Sequence, residues 1–138
     1  MSGLSVLSTT YAGSVLKDSS EIHLTAHELA HQWWGNRITC KSFNHFWLNE
    51  AFAVYMASAF NEYKFGKEKY LSDISLYKRI YDDVVKRGKD KALVFQGWKA
   101  LRDNRSIVYY KGAYVLHLLR QKMGDEAFWK GIQYYSQK

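Results

Sequence analysis

Apolar residues recur at helical spacing along most of the chain. The stretch over 67–87 shows this most plainly. It has apolar residues at 71, 74, 77, 80, 81, 84 and 85 before Gly88, which predicts an amphipathic helix of structural purpose. Upstream, residues 21–34 predict a helix ended by Gly35 and Asn36, with Trp33 and Trp34 packing at its close. Asp18 and Glu21 have the spacing of a capping box that would start this helix. After a loop over 37–44, a second helix is expected from Phe46 to Gly66. Residues 89–105 read as a loop with a short apolar anchor at 92–95. A helix over 107–123 follows, stopped by Gly124, and Asp125 is expected to cap a last one over 126–135. Only residues 3–11 alternate and are rich in β-formers, which predicts one edge strand near the site. The expected fold is mainly α with a small β element, and because a lone strand cannot form a sheet, its partners are expected outside this chain or in short unread strands.

Composition narrows the class without naming a chemistry. A chain of 138 residues with 47% hydrophobic content is one domain with material for a core. No apolar run approaches the roughly eighteen residues that would suggest a membrane span, and the N-terminus lacks the pattern of a signal peptide. No membrane association is expected, and the cytoplasm is the favoured compartment. Cys40 is the only cysteine, which excludes an internal disulfide and a thiolate zinc cluster. The net charge of +7 could suggest nucleic acid. However, the basic residues between Lys64 and Lys91 alternate with Glu68, Asp73, Asp82, Asp83 and Asp90, as on a solvated helical surface. No nucleic-acid partner is expected.

The chemistry-bearing stretch is His27-Glu28-Leu29-Ala30-His31, with Glu50 nineteen positions beyond it. On a helix, His27 and His31 lie about 40° apart around the axis and about 6 Å along it, so both imidazoles can reach one metal. Imidazole nitrogens and a carboxylate are ligands that zinc accepts, which makes Glu50 the candidate third ligand. Glu28, rotated about 100° from His27, would stand beside a metal-activated water as general base. His23 shares the face of His27, yet it is about 12 Å from His31 along the axis. The metal pair is therefore either 23/27 or 27/31, and only the second places Glu28 between its ligands. His23 is expected to be a surface or supporting residue.

HELAHQWWGN, then WLNEAFAVY, then YYKGA follow one another at compatible distances. Together they resemble the gluzincin aminopeptidases, the aminopeptidase N-like peptidase family M1, from about Thr9 to Tyr135. The resemblance implies a thermolysin-like (gluzincin) zinc metallopeptidase catalytic core. It implies one Zn2+ per chain on His27, His31 and Glu50, with Glu28 as base and proton shuttle. It places the tyrosine of the family's Y-x-K-G signature on Tyr109 as oxyanion stabiliser, with Tyr110 as the alternate. Two positions depart from the family. No residue supplies the glutamate of its G-x-M-E-N motif, which holds the substrate's free amine, and Ala57 stands where a carboxylate supporting the metal site is common.

The expected function is zinc-dependent hydrolysis of peptide bonds, removing N-terminal amino acids. The alternatives are a non-catalytic scaffold or protein-interaction module, and an endopeptidase that lacks the amine anchor. Residues 1–138 are read as a single catalytic domain from a larger multidomain peptidase. Self-association is expected through surfaces where the other domains would dock.

Overall fold

The computed structural model describes residues 7–18 and 22–137. Its helices are α1 (Thr9–Lys17), α2 (His23–Ala30), α3 (Trp47–Phe65), α4 (Lys67–Lys86), α5 (Arg102–Arg105), α6 (Gly112–Met123) and α7 (Asp125–Tyr135). A 3-10 turn at Phe43–His45 precedes α3, and a π-helical segment, Ser106–Lys111, joins α5 to α6. Among the described residues there is no strand, only an isolated parallel bridge between Trp34 and Ile38.

The expected strand over 3–11 is corrected where it can be seen. Thr9, Thr10 and Tyr11 open α1, and residues 3–6 lie outside the described part. Ser8 supplies what the alternation concealed, because its hydroxyl accepts the Tyr11 N–H at 3.1 Å and caps a helix. Tyr11 then docks α1 onto α2, its hydroxyl accepting the Thr25 N–H at 3.0 Å.

The capping expectations fail for a related reason. Asp18 ends α1, its N–H donating to the Ser14 carbonyl, and Glu21 is outside the described residues. Helix α2, which carries the histidine pair, begins at His23 with no side-chain cap, and it is shorter than the predicted 21–34 because 31–33 form turns and Trp34 a bridge. Asp125 likewise caps nothing. It is the first residue of α7, and its carboxylate is drawn to Arg120 at 2.7 and 2.9 Å. The predicted loop also ends early, since α5 already occupies 102–105.

Helix α3 is the central element and packs against α2, α4, α6 and the π-helical segment. The core gathers Phe52 and Tyr55 of α3 with Tyr70, Ile74 and Tyr77 of α4, Leu116 of α6 and Phe128 of α7. Gly112 lets α6 approach closely, because a Cβ there would stand 2.5 Å from Ala51 Cβ. Of the tryptophan pair, Trp34 is buried and stacks on Phe52, with ring centroids 4.3 Å apart. Trp33, expected to pack, is instead half exposed.

Candidate metal centre

His31, the residue that closes α2, follows His27 by four positions, and both rings face the first turn of α3. Their Nε2 atoms are 3.1 Å apart, and the rings meet nearly edge to face. Glu50, buried in that first turn, places Oε2 3.5 Å from His27 Nε2 and 3.3 Å from His31 Nε2. Two atoms bound to one tetrahedral zinc at about 2.0–2.1 Å are about 3.3 Å from each other. The three observed separations bracket that edge length, so the donor set and its spacing suit a single zinc ion.

The surroundings orient these ligands. His31 donates its Nδ1 hydrogen to the Trp34 carbonyl at 2.9 Å, which leaves Nε2 to face the other two ligands. Gly35 makes room for that bond. It sits at φ 136°, and a Cβ there would come within 3.3 Å of His31 Nδ1. The neighbouring loop is tied back by Asn49, whose side-chain oxygen accepts the Cys40 N–H at 3.1 Å.

Burial and mutual hydrogen bonding act in opposite directions on the acid and the imidazole of the cluster. Burial acts to raise the Glu50 carboxyl, but hydrogen bonding to His27 and His31, together with their charge, prevails and lowers it to about 2. For His31, burial works downward. Hydrogen bonds to Glu50 and the Trp34 carbonyl, with the charges of Glu50 and Glu28, outweigh it and raise the pKa. Metal binding to these residues would compete with protons, since the ligands bind a cation in their deprotonated forms.

Glu28 is half-buried on α2, and its charge acts on both His31 and Tyr109. Tyr109 lies in the π-helical segment, with its ring nearly parallel to that of His27 and 6.1 Å from it. Burial, then the negative charge of Glu50, pushes its phenol well above the ordinary range, so it stays a protonated donor. Tyr110 faces elsewhere, packing against Tyr77 at 5.4 Å between centroids. Ala57 is fully buried on α3 and brings no charge to the site. Sequence reasoning missed the Trp34 carbonyl and Gly35 as supports, although the Trp-Trp-Gly-Asn run after His31 was the signal that could have found them.

Comparison with known proteins decides the family. Residues 4–138 match the model of the peptidase family M1 domain. The chain belongs to peptidase family M1. It is 36% identical over 123 residues to aminopeptidase N of Lactococcus lactis subsp. lactis, covering 83% of this chain and 14% of that protein. It is 34% identical over 130 residues to leucine aminopeptidase 2 of Ajellomyces capsulatus, covering 90% of this chain and 21% of that protein. Tricorn protease-interacting factor F2 of Thermoplasma volcanium is 31% identical over 146 residues, covering 96% of this chain and 17% of that protein. This M1 chain thus spans about a fifth or less of the length of these relatives. No solved structure gives a significant match. Among the described residues, no helix of the M1 chain is long and apolar enough to cross a membrane.

Proposed function

We propose that this chain is a thermolysin-like catalytic segment of a larger zinc metallopeptidase that removes amino acids from the N-termini of peptides. One zinc ion would be held by His27, His31 and Glu50. The observation that carries this reading is the near-tetrahedral edge spacing of those three ligand atoms, at 3.1, 3.3 and 3.5 Å. The relatives' names, aminopeptidase N and leucine aminopeptidase 2, favour exopeptidase chemistry on a peptide substrate.

Zinc, when bound, supplies a Lewis acid that makes water nucleophilic near neutral pH and polarises a carbonyl. The chain's own residues do the rest. Glu28 accepts the proton of the attacking water and later delivers it to the departing amine. Tyr109 donates its phenolic hydrogen to the carbonyl oxygen as negative charge develops there, a role that its raised pKa suits by keeping the hydrogen in place. His31, fixed through Trp34, keeps its ligand nitrogen aimed. Exposed apolar side chains such as Leu29 and Trp33 support the further proposal that the isolated chain self-associates.

The test is hydrolysis of an aminoacyl amide with a free amine and of its N-blocked twin, with Glu28→Gln as control. Cleavage of the free amine alone, lost in the control, is the expected result. Cleavage of both would make the chain an endopeptidase. No cleavage by a folded, zinc-bound chain would leave a scaffold.

A further inference from the structure

One turn before the metal pair, α2 is bound into the body of the protein by polar side chains that the chemistry above does not use. Asn61 of α3 is fully buried, and its amide nitrogen lies 2.8 Å from Asp73 Oδ2 and 3.2 Å from His23 Nδ1. On its other side, His23 Nε2 is 3.2 Å from the Tyr77 hydroxyl, which is 2.7 Å from Ser58 Oγ. His23 comes from α2, Ser58 and Asn61 from α3, and Asp73 and Tyr77 from α4, so three helices meet in one cluster.

One arrangement of hydrogens is consistent with these contacts. The Asn61 amide has two, of which Asp73 takes one and His23 Nδ1 the other. His23 then carries its own hydrogen on Nε2 and gives it to Tyr77, whose hydroxyl shares a further hydrogen bond with Ser58. Each bond presupposes the next, so the cluster accepts one rotation of the histidine ring. Among the described residues, the buried Asn61 side-chain oxygen takes no part in these bonds. Polar clusters of this kind supply direction that an apolar contact of the same volume would not.

Direction matters at this point of the helix. Helix α2 has only eight residues and no side-chain N-cap, so its C-terminal end is held through His31 and Trp34 and its N-terminal end through His23, beside the Tyr11 hydroxyl on Thr25. A rotation of about 20° would move an atom about 6 Å from the helix axis by about 2 Å, which is a whole metal–ligand bond length. The cluster also reaches the opposite side of the site, since Tyr77 packs against Tyr110, the neighbour of Tyr109.

We propose that Asn61, His23 and Tyr77 are positioning residues for the metal centre, fixing the rotation of α2 so that His27 meets Glu50, and seating the segment that carries Tyr109. This inference rests on the reading of His27, His31 and Glu50 as zinc ligands. None of the three positioning residues touches the metal or the substrate.

The experiment compares the full chain with Asn61→Ala and Tyr77→Phe. The control is Tyr55→Phe, which breaks a remote hydrogen bond to Tyr70 of 3.2 Å. Two properties are read well below the melting temperature: zinc affinity by competition with a chromophoric chelator, and the visible absorption of the cobalt-substituted protein. Asn61→Ala should weaken zinc binding about tenfold to a hundredfold and shift the cobalt bands. Tyr77→Phe, which conserves volume and serves if Asn61→Ala does not fold, should change both in the same direction. Tyr55→Phe should lower thermal stability and leave both unchanged. Folded variants that bind zinc and cobalt as the parent chain does would overturn the proposal, as would a control that weakens binding equally. A parent chain that binds no zinc would overturn the reading of the metal centre and this inference with it.

Discussion

His31 and Trp34 are joined by a hydrogen bond of 2.9 Å from the imidazole Nδ1 to the backbone carbonyl, across the turn that ends α2. The bond is possible because Gly35 follows at φ 136° and leaves space beside the ring. Gly35→Ala should therefore strike twice. Backbone strain of this kind costs about 1–3 kcal/mol, and displacement of His31 should weaken zinc binding about tenfold to a hundredfold. Thermal melts and chelator competition check the two effects separately.

The metal-free chain should show a pH optimum of stability set by this same cluster. Glu50 ordinarily titrates near 4.5 and is lowered to about 2, so its contribution is present above 4.5 and disappears as pH falls toward 2. That contribution is on the order of 3 kcal/mol at most. His31 is raised from 6.5, so its contribution is complete below 6.5 and is lost as pH rises through the folded value. Urea titrations of the metal-free chain should give highest stability between these limits. Zinc should reverse the alkaline side, because it binds the deprotonated ligands.

Tyr109→Phe should leave zinc affinity unchanged and reduce turnover about a hundredfold to a thousandfold. Tyr110→Phe, whose ring packs on Tyr77 away from the metal ligands, should cost much less turnover. Steady-state kinetics on a free-amine substrate distinguish the two, and equal losses would count against the assignment of Tyr109.

Arg120 offers a contrast far from the chemistry. It is buried on α6 and meets Glu62 of α3 at 2.6 Å and Asp125 of α7 at 2.7 Å. Arg120→Met should destabilise the chain by about 2–3 kcal/mol, since charge-assisted bonds are lost and Glu62 is left unpaired. Zinc affinity should not change. Denaturant melts and chelator competition on one sample test both halves of that statement.

How much of this was legible in the sequence followed from how local each cause is. The spacing of His27 and His31 is a property of any helix, and α3 is long and well bounded by Gly66, so the placing of Glu50 could be anticipated from two helices packing together. The start of α1 could not, because alternation in 3–11 outweighed one serine whose capping role shows only when its hydroxyl meets the Tyr11 N–H. Asp18 and Asp125 were suitable caps by type, but one closes a helix and the other answers an arginine five residues earlier. The π-helical segment that carries Tyr109 left no mark in the periodicity. His23 was legible only as a third histidine on the face, because its partners Asn61 and Tyr77 are 38 and 54 residues away.

The central claim concerns the occupant of the His27, His31 and Glu50 cluster, and X-ray absorption of the zinc-loaded chain tests it most directly, with metal analysis of the same sample. The account predicts one zinc per chain, with nitrogen and oxygen ligands at about 2.0–2.1 Å and the outer-shell scattering of two imidazoles. A chain that retains no zinc, or a zinc shell without imidazole scattering, would contradict it.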